Sequence, residues 1–133
     1  MQIDETIGVA AAMSPDVLML GPGHTLRQVS HAMAGRKVGA AVVVDSDASG
    51  AGIITERDIL RSIAAGEDPD VETALDHQTT DIVYATPTWT LVQAAEAMMR
   101  GGFRHLVVLE GNEVAGMLSV RDIVRVWASQ AQD

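Results

Sequence analysis

The chain has 133 residues, one compact domain's length, and only 3% are aromatic, so Val, Ile, Leu, Ala and seven Met must fill its core. Its formal charge is −9, from 18 acidic against nine basic residues, and it lacks the basic stripe that nucleic acid or an anionic membrane requires. Having no cysteine, it cannot build a disulfide scaffold, a catalytic thiol or a zinc ribbon.

In chain order, Val17-Leu18-Met19-Leu20 reads as a short strand and Gly21-Pro22-Gly23 as a turn. Thr25 to Gln28 fits a capping box, a hydroxyl at the N-cap with an amide three residues on. Leu26, Val29, Ala32 and Met33 follow at helical spacing, and Gly35 is expected to close the helix. The apolar run Ala40 to Val44 predicts a strand buried on both faces. Asp45 to Gly50 predicts a hairpin turn, and Ala51 to Ile54 the returning strand. Thr55 then starts a helix expected to turn Ile59, Leu60 and Ile63 inward.

Gly66 to Asp70 is polar, and a short helical turn is expected through Val71, Ala74 and Leu75. From Asp81 the order of strand, helix, strand, strand and helix returns, with a capping box at Thr90/Gln93 and a turn at Glu110 to Glu113. Pro22, Ala32-Met33 and Val42-Val43 recur as Pro87, Ala97-Met98 and Val107-Val108, each 65 positions later. Gly52 to Ile59 then recurs as Gly116 to Ile123, 64 positions later. A half-sized unit rarely buries its apolar face alone, so a tandem duplication predicts two units packed through their sheets about an approximate twofold axis. The predicted class is α+β: a β-α-β-β-α repeat in residues 1–65 with the N-terminal segment, a linker at 66–80 and a second repeat at 81–133.

The repeated G-x-x-[ST]-x-x-D motif carries the chemistry. Thr55 and Ser119 lie where a strand ends and a helix begins, and a helix N-terminus suits a phosphate. Asp58 and Asp122, one turn further along, can accept two hydrogen bonds from vicinal hydroxyls such as those of ribose. Arg57 and Arg121, inside the motifs, favour an anion. The same pairs also read as capping boxes that satisfy only their own helix ends. Arg104 and His105 read as a pair facing phosphates, or as a solvated strand edge. Gly39 marks a close backbone approach to a ligand or to the neighbouring strand, with Ala40 beside it. His24, His31 and His77 show no metal-ligand spacing and read as surface or helix residues. Trp89 reads as a hydrophobic staple or a dimer contact, and Trp127 as core or subunit interface.

The paired heptapeptides, Met13-Ser14-Pro15-Asp16 and Arg104-His105-Leu106-Val107-Val108 resemble the cystathionine-β-synthase (CBS) domain family in its tandem form, the Bateman module, over about Ala12 to Trp127. Val107 departs from the family's usual proline, and Gly39-Ala40 stands where the second copy has Arg104-His105. The resemblance implies adenosine-type ligands such as AMP or ATP in clefts between the copies, with the base near Leu18, Val38 or Val83. It also implies a homodimer. No nucleophile–base pair, metal constellation or P-loop suggests an enzyme, and no cofactor is expected. The expected function is a regulatory nucleotide sensor acting on its own conformation or on an enzyme or transporter in trans. The alternative is a ligand-free dimerisation or interaction module. No signal peptide is evident after the acidic start Met1 to Glu5, and no apolar run reaches the ~18 residues of a membrane span, so the expected setting is cytoplasmic.

Overall fold

The computed structural model describes residues 4–46 and 51–131. The elements run α1 (Val9–Ala12), β1 (Met19–Leu20), α2 (Leu26–Arg36), β2 (Ala40–Val44), β3 (Ala51–Thr55), α3 (Glu56–Ala64), α4 (Ala74–His77), β4 (Tyr84–Ala85), α5 (Leu91–Gly101), β5 (His105–Glu110), β6 (Glu113–Ser119) and α6 (Val120–Ala131). They form two three-stranded sheets, β1-β2-β3 and β4-β5-β6, each with its first pair parallel and its second antiparallel. The predicted α+β class and the two repeats are therefore present.

Each repeat has its own core. In the first, Leu26, Val29 and Met33 of α2 pack with Ala41, Val43, Ile54 and Ile59. In the second, the equivalent positions are Leu91, Ala94, Met98, Leu106, Val108, Leu118 and Ile123. Where one copy is small the other is large, as at Ala41 and Leu106, so the fold is kept while packing is redistributed. Ala40 and Val42, on the other face of β2, are buried as well, as the continuous apolar run predicts.

The units do not follow the expected boundaries. One contains Leu18–Ile82; the other joins the described N-terminal residues up to Val17 to the chain from Val83 onward. The segment before each repeat thus packs on the other repeat. Val9 and Ala10 donate to the carbonyls of Trp89 and Pro87, at 2.7 and 3.3 Å, and Leu91 donates to Ile7 at 3.0 Å. Sixty-five positions on, Ala74 and Leu75 donate to His24 and Pro22, at 2.9 and 3.0 Å, and Leu26 donates to Glu72 at 2.9 Å. Residues 66–80, expected as a linker, are therefore an integral layer of the first-repeat unit. The physical reason is burial: Val9 and Ala74 are fully buried and complete the two cores.

Two local expectations change. Gly35 lies inside α2; the helix ends at Lys37, which takes the left-handed conformation (φ 57°, ψ 42°) that Gly102 takes in the second copy. Leu60 and Ile63 turn outward, 66% and 53% exposed, and Ser62 occupies the buried face of α3 beside Ile59. On α6, Ile123 is buried while Val124 and Trp127 are half exposed. Trp89 packs against the second core, as a staple would. The predicted hairpin turn at Asp45 to Gly50 falls largely outside the described residues.

Candidate functional site

Strand register brings the predicted residues together within each repeat. Ala40 pairs with Thr55, and His105 pairs with Ser119. The carbonyl of Gly39 accepts the amide of Glu56 at 3.0 Å, and that of Arg104 accepts the amide of Val120 at 3.0 Å. The start of one strand, the end of its partner and the first turn of a helix therefore meet at one corner in each copy.

Both motifs form full capping boxes. Asp58 Oδ2 accepts from the Thr55 amide at 2.8 Å and from its hydroxyl at 3.0 Å, and the Thr55 hydroxyl oxygen accepts from the Asp58 amide at 3.4 Å. The Ser119/Asp122 distances are 2.8, 3.0 and 3.1 Å. Of the four amides a helix start leaves unpaired, three are thus satisfied in each copy. Among the described residues, the amides of Arg57 and Arg121 are the ones remaining for an anion. The motif is less open to phosphate than a bare helix N-terminus, and the capping reading is correct as far as it goes. The four capping side chains are nonetheless half-buried rather than sealed.

The two corners differ in charge. Asp58 Oδ1 makes no hydrogen bond among the described residues, whereas Asp122 Oδ1 accepts from Arg125 at 3.2 Å. Arg125 also donates to the carbonyl of Ala12 at 3.0 Å, which ties α6 to the end of α1. A Cβ on Gly39 would lie 3.3 Å from the Glu56 carboxylate, so the close approach is to this neighbouring acid. The first corner therefore carries Glu56, Arg57 and Asp58, with Arg61 one turn on in the position of Arg125; the second carries Arg104, Arg121, Asp122 and Arg125, with apolar Val120 where Glu56 stands. Arg57, Arg104 and Arg121 are exposed, and His105 is half-buried.

Leu18 is half-buried against the first core, and its carbonyl accepts from Val42 at 2.9 Å. Val38 is 37% and Val83 47% exposed. Val38 precedes Gly39 directly and so borders the first corner. Its counterpart Phe103 packs into the second core instead.

Sequence reading missed Glu56 and Arg125. Arg125 had a signal, since Arg61 and Arg125 recur at the motif's own offset. The reading of His77 is also corrected: its Nε2 lies 2.8 Å from Glu72 Oε1 and 3.8 Å from Glu67 Oε1. The chain folds back at Pro69 to Val71, which linear spacing does not show. His24 Nδ1 engages the backbone of Gly21, and His31 is exposed on α2.

A family model for the CBS domain matches the chain twice, over residues 9–65 and 72–129. An uncharacterised 17.7 kDa protein of Acidianus ambivalens is 30% identical over 119 residues, covering 88% of this chain and 71% of its own. A CBS domain-containing protein of Arabidopsis thaliana is 34% identical over 104 residues, which make up 77% of this chain but 19% of that protein. Among solved structures, a CBS-domain containing protein from Agrobacterium tumefaciens matches with TM-score 0.83 at 27% identity, over 96% of this chain and 98% of its own. A CBS domain protein from Pyrobaculum aerophilum, complexed with AMP, matches with TM-score 0.81 at 28% identity, over 96% of this chain and 100% of its own. The chain belongs to the CBS domain family and carries two copies of the domain.

Proposed function

We propose that this protein is a regulatory module that binds adenosine-type nucleotides at the Thr55/Asp58 and Ser119/Asp122 corners. The observation that carries this reading is the division of labour on the carboxylate of the first corner; at the second, Arg125 shares Asp122 Oδ1. Oδ2 of Asp58 holds the helix cap, and Oδ1 is left for a ribose hydroxyl. The AMP complex of the Pyrobaculum aerophilum relative supports an adenosine ligand. Leu18, Val38 and Val83 are the apolar residues offered to the base. Gly39 and Ala40 border the first corner. Arg104, His105 and Arg121 favour phosphate at the second, and Arg57 is offset by Glu56 at the first. A phosphate-rich nucleotide is therefore expected to prefer the second corner, and a nucleoside with little charge the first. The role is sensing rather than catalysis, with output set by differential affinity for two conformations.

Calorimetry and thermal melting against adenosine, AMP and ATP test this. A ligand at 100 times its dissociation constant adds about 2.7 kcal/mol of stability. Asp58→Asn and Asp122→Asn each keep an acceptor for the cap and should each remove one binding event. The absence of any ligand-induced shift at roughly millimolar concentration would refute the proposal.

A second reading, assembly of two copies, is favoured by one observation. Leu60 and Ile63 on α3 and Val124 and Trp127 on α6 hold equivalent positions, and all four are substantially exposed. An apolar patch repeated in this way suits a symmetric homodimer. Sedimentation of wild type against Leu60→Glu/Val124→Glu distinguishes dimer from monomer. Any enzyme or transporter acting as a partner in trans would be sought with the dimer in hand. No helix among the described residues is long and apolar enough to cross a membrane.

A further inference from the structure

We propose that Glu67, Glu72 and His77 form a binding site for a divalent transition-metal ion of the zinc type. The three side chains each offer one ligand atom, and these atoms lie within 4.8 Å of one another. Donor atoms bound to a first-row ion at about 2.0–2.2 Å sit roughly 3–3.5 Å apart. The observed separations of 2.8 Å (His77–Glu72) and 3.8 Å (His77–Glu67) bracket that spacing, and the Glu67 and Glu72 ligand atoms lie within 4.8 Å of one another, so modest side-chain rotations would close the site.

The backbone beneath the three ligands is already fixed. Glu67 donates its amide to Ser62 at 3.1 Å, and Glu72 donates to Asp68 at 2.9 Å while its carbonyl accepts from Leu26 at 2.9 Å. His77 ends α4, which is anchored at its first residue by the bond from Ala74 to His24 at 2.9 Å. Such preorganisation spares the ion the cost of ordering the loop. Side-chain exposure rises from 18% at His77 through 25% at Glu72 to 40% at Glu67, so one side is open for water or a fourth ligand.

The donor set selects the ion. One imidazole with two carboxylates suits zinc, nickel, cobalt or iron, whereas magnesium and calcium want oxygen alone. Two carboxylates also neutralise a dication, in a chain that is strongly acidic throughout. The site lies beyond the C-terminal end of α3, whereas Thr55 and Asp58 cap its N-terminal end, so it is separate from the nucleotide corner. Its effect would be to clasp the 66–77 layer to itself and stiffen the first-repeat unit.

The test uses the full, untagged chain freed of metal with chelator. Zinc is titrated calorimetrically, and cobalt is followed by its visible absorption. One ion per chain is expected, and His77→Ala should weaken zinc binding more than about 100-fold, beyond the roughly 10–100-fold that loss of an outer-shell partner costs. It should also abolish the cobalt band. Glu67→Gln, on an exposed side chain, should weaken binding while leaving the fold intact. His31→Ala should bind as wild type does. Absence of saturable zinc binding in the wild-type chain, or binding undiminished in both His77→Ala and Glu67→Gln, overturns the proposal. Neither result bears on nucleotide binding at the other end of α3.

Discussion

Gly116→Ala should destabilise the protein more than Gly52→Ala, although the two glycines are equivalent positions of one repeat. A Cβ built on Gly116 falls 2.7 Å from Met13 Sδ and 2.8 Å from the carbonyl oxygen of Ser14. That carbonyl is held in a two-way bridge, accepting from Met117 at 2.9 Å while Ser14 donates back to Met117 at 2.9 Å. Relief therefore requires the N-terminal segment to move off β6. Overpacking of this kind costs about 1–3 kcal/mol. Weakening the bridge adds about 1 kcal/mol, and replacing a strand glycine returns roughly 0.5–1 kcal/mol. The net loss is about 1–3 kcal/mol, or a fall of roughly 3–10 °C in Tm at this chain length. At Gly52 the nearest atoms belong to the Gln78 side chain, with Oε1 closest, and the Thr79 carbonyl lies farther off at 3.2 Å. The glutamine can swing away, so Gly52→Ala should cost less, and Gln78→Ala should rescue it. Thermal and urea melts of the single and double variants decide the matter. A Gly116→Ala protein as stable as Gly52→Ala would show that the N-terminal segment is not docked on the second repeat as described.

Lys37→Gly should raise stability by about 1 kcal/mol, because a left-handed helix end suits glycine, and Gly102→Lys should lower it by a similar amount; chemical denaturation reads both. Ser62→Ala should stabilise by about 1 kcal/mol, since the Ser62 hydroxyl is buried without a hydrogen-bond partner among the described residues; a lower denaturation midpoint would show that the hydroxyl is satisfied. The hydrogen bonds from Arg27 hold the Asp70 carboxyl below its ordinary range. The stability from this pair is therefore present above the usual carboxylate pKa and lost as pH falls through the depressed value. Asp70→Asn should shrink the acid-limb difference between pH 5 and pH 2, about the window in which a paired aspartate titrates. High salt should mask the change, because both side chains are exposed.

What the sequence disclosed was the periodic part of the structure. Capping boxes at Thr25, Thr55 and Thr90 and the buried run at Ala40 to Val44 are local patterns of four or five residues, the duplication is their recurrence 64 or 65 positions on, and each is present in the structure. What it concealed depends on which repeat a segment packs against. Val9 and Ala74 occupy equivalent places and complete cores from across the chain, yet Gly8 to Asp16 shares little with Thr73 to Asp81 beyond the final Asp. Apolar spacing places Leu60 and Ile63 inward because it reports a face, not its partner. Ser62 on the buried face of α3 runs against composition altogether. At the candidate corners, the motif located Thr55, Asp58, Ser119 and Asp122, and strand register brought Gly39, Ala40, Arg104 and His105 to them. Glu56 escaped notice because its position in the second copy is Val120, so it carries no repeat signal.

That asymmetry is itself informative. Positions that hold the fold are kept between copies in kind: leucine at 26 and 91, methionine at 33 and 98, isoleucine at 59 and 123. Positions around the corners change charge: glycine against arginine at 39 and 104, glutamate against valine at 56 and 120. Capping alone places no demand on those neighbours, because Thr55/Asp58 and Ser119/Asp122 close their helices with nearly the same distances despite the different surroundings. The proposed function reads this difference as two sites tuned to different net charge on one ligand class. They also make the separate Asp58→Asn and Asp122→Asn titrations the measurement on which the functional reading turns: equal loss for adenosine and ATP in both variants would mean that the charge difference has no bearing on recognition.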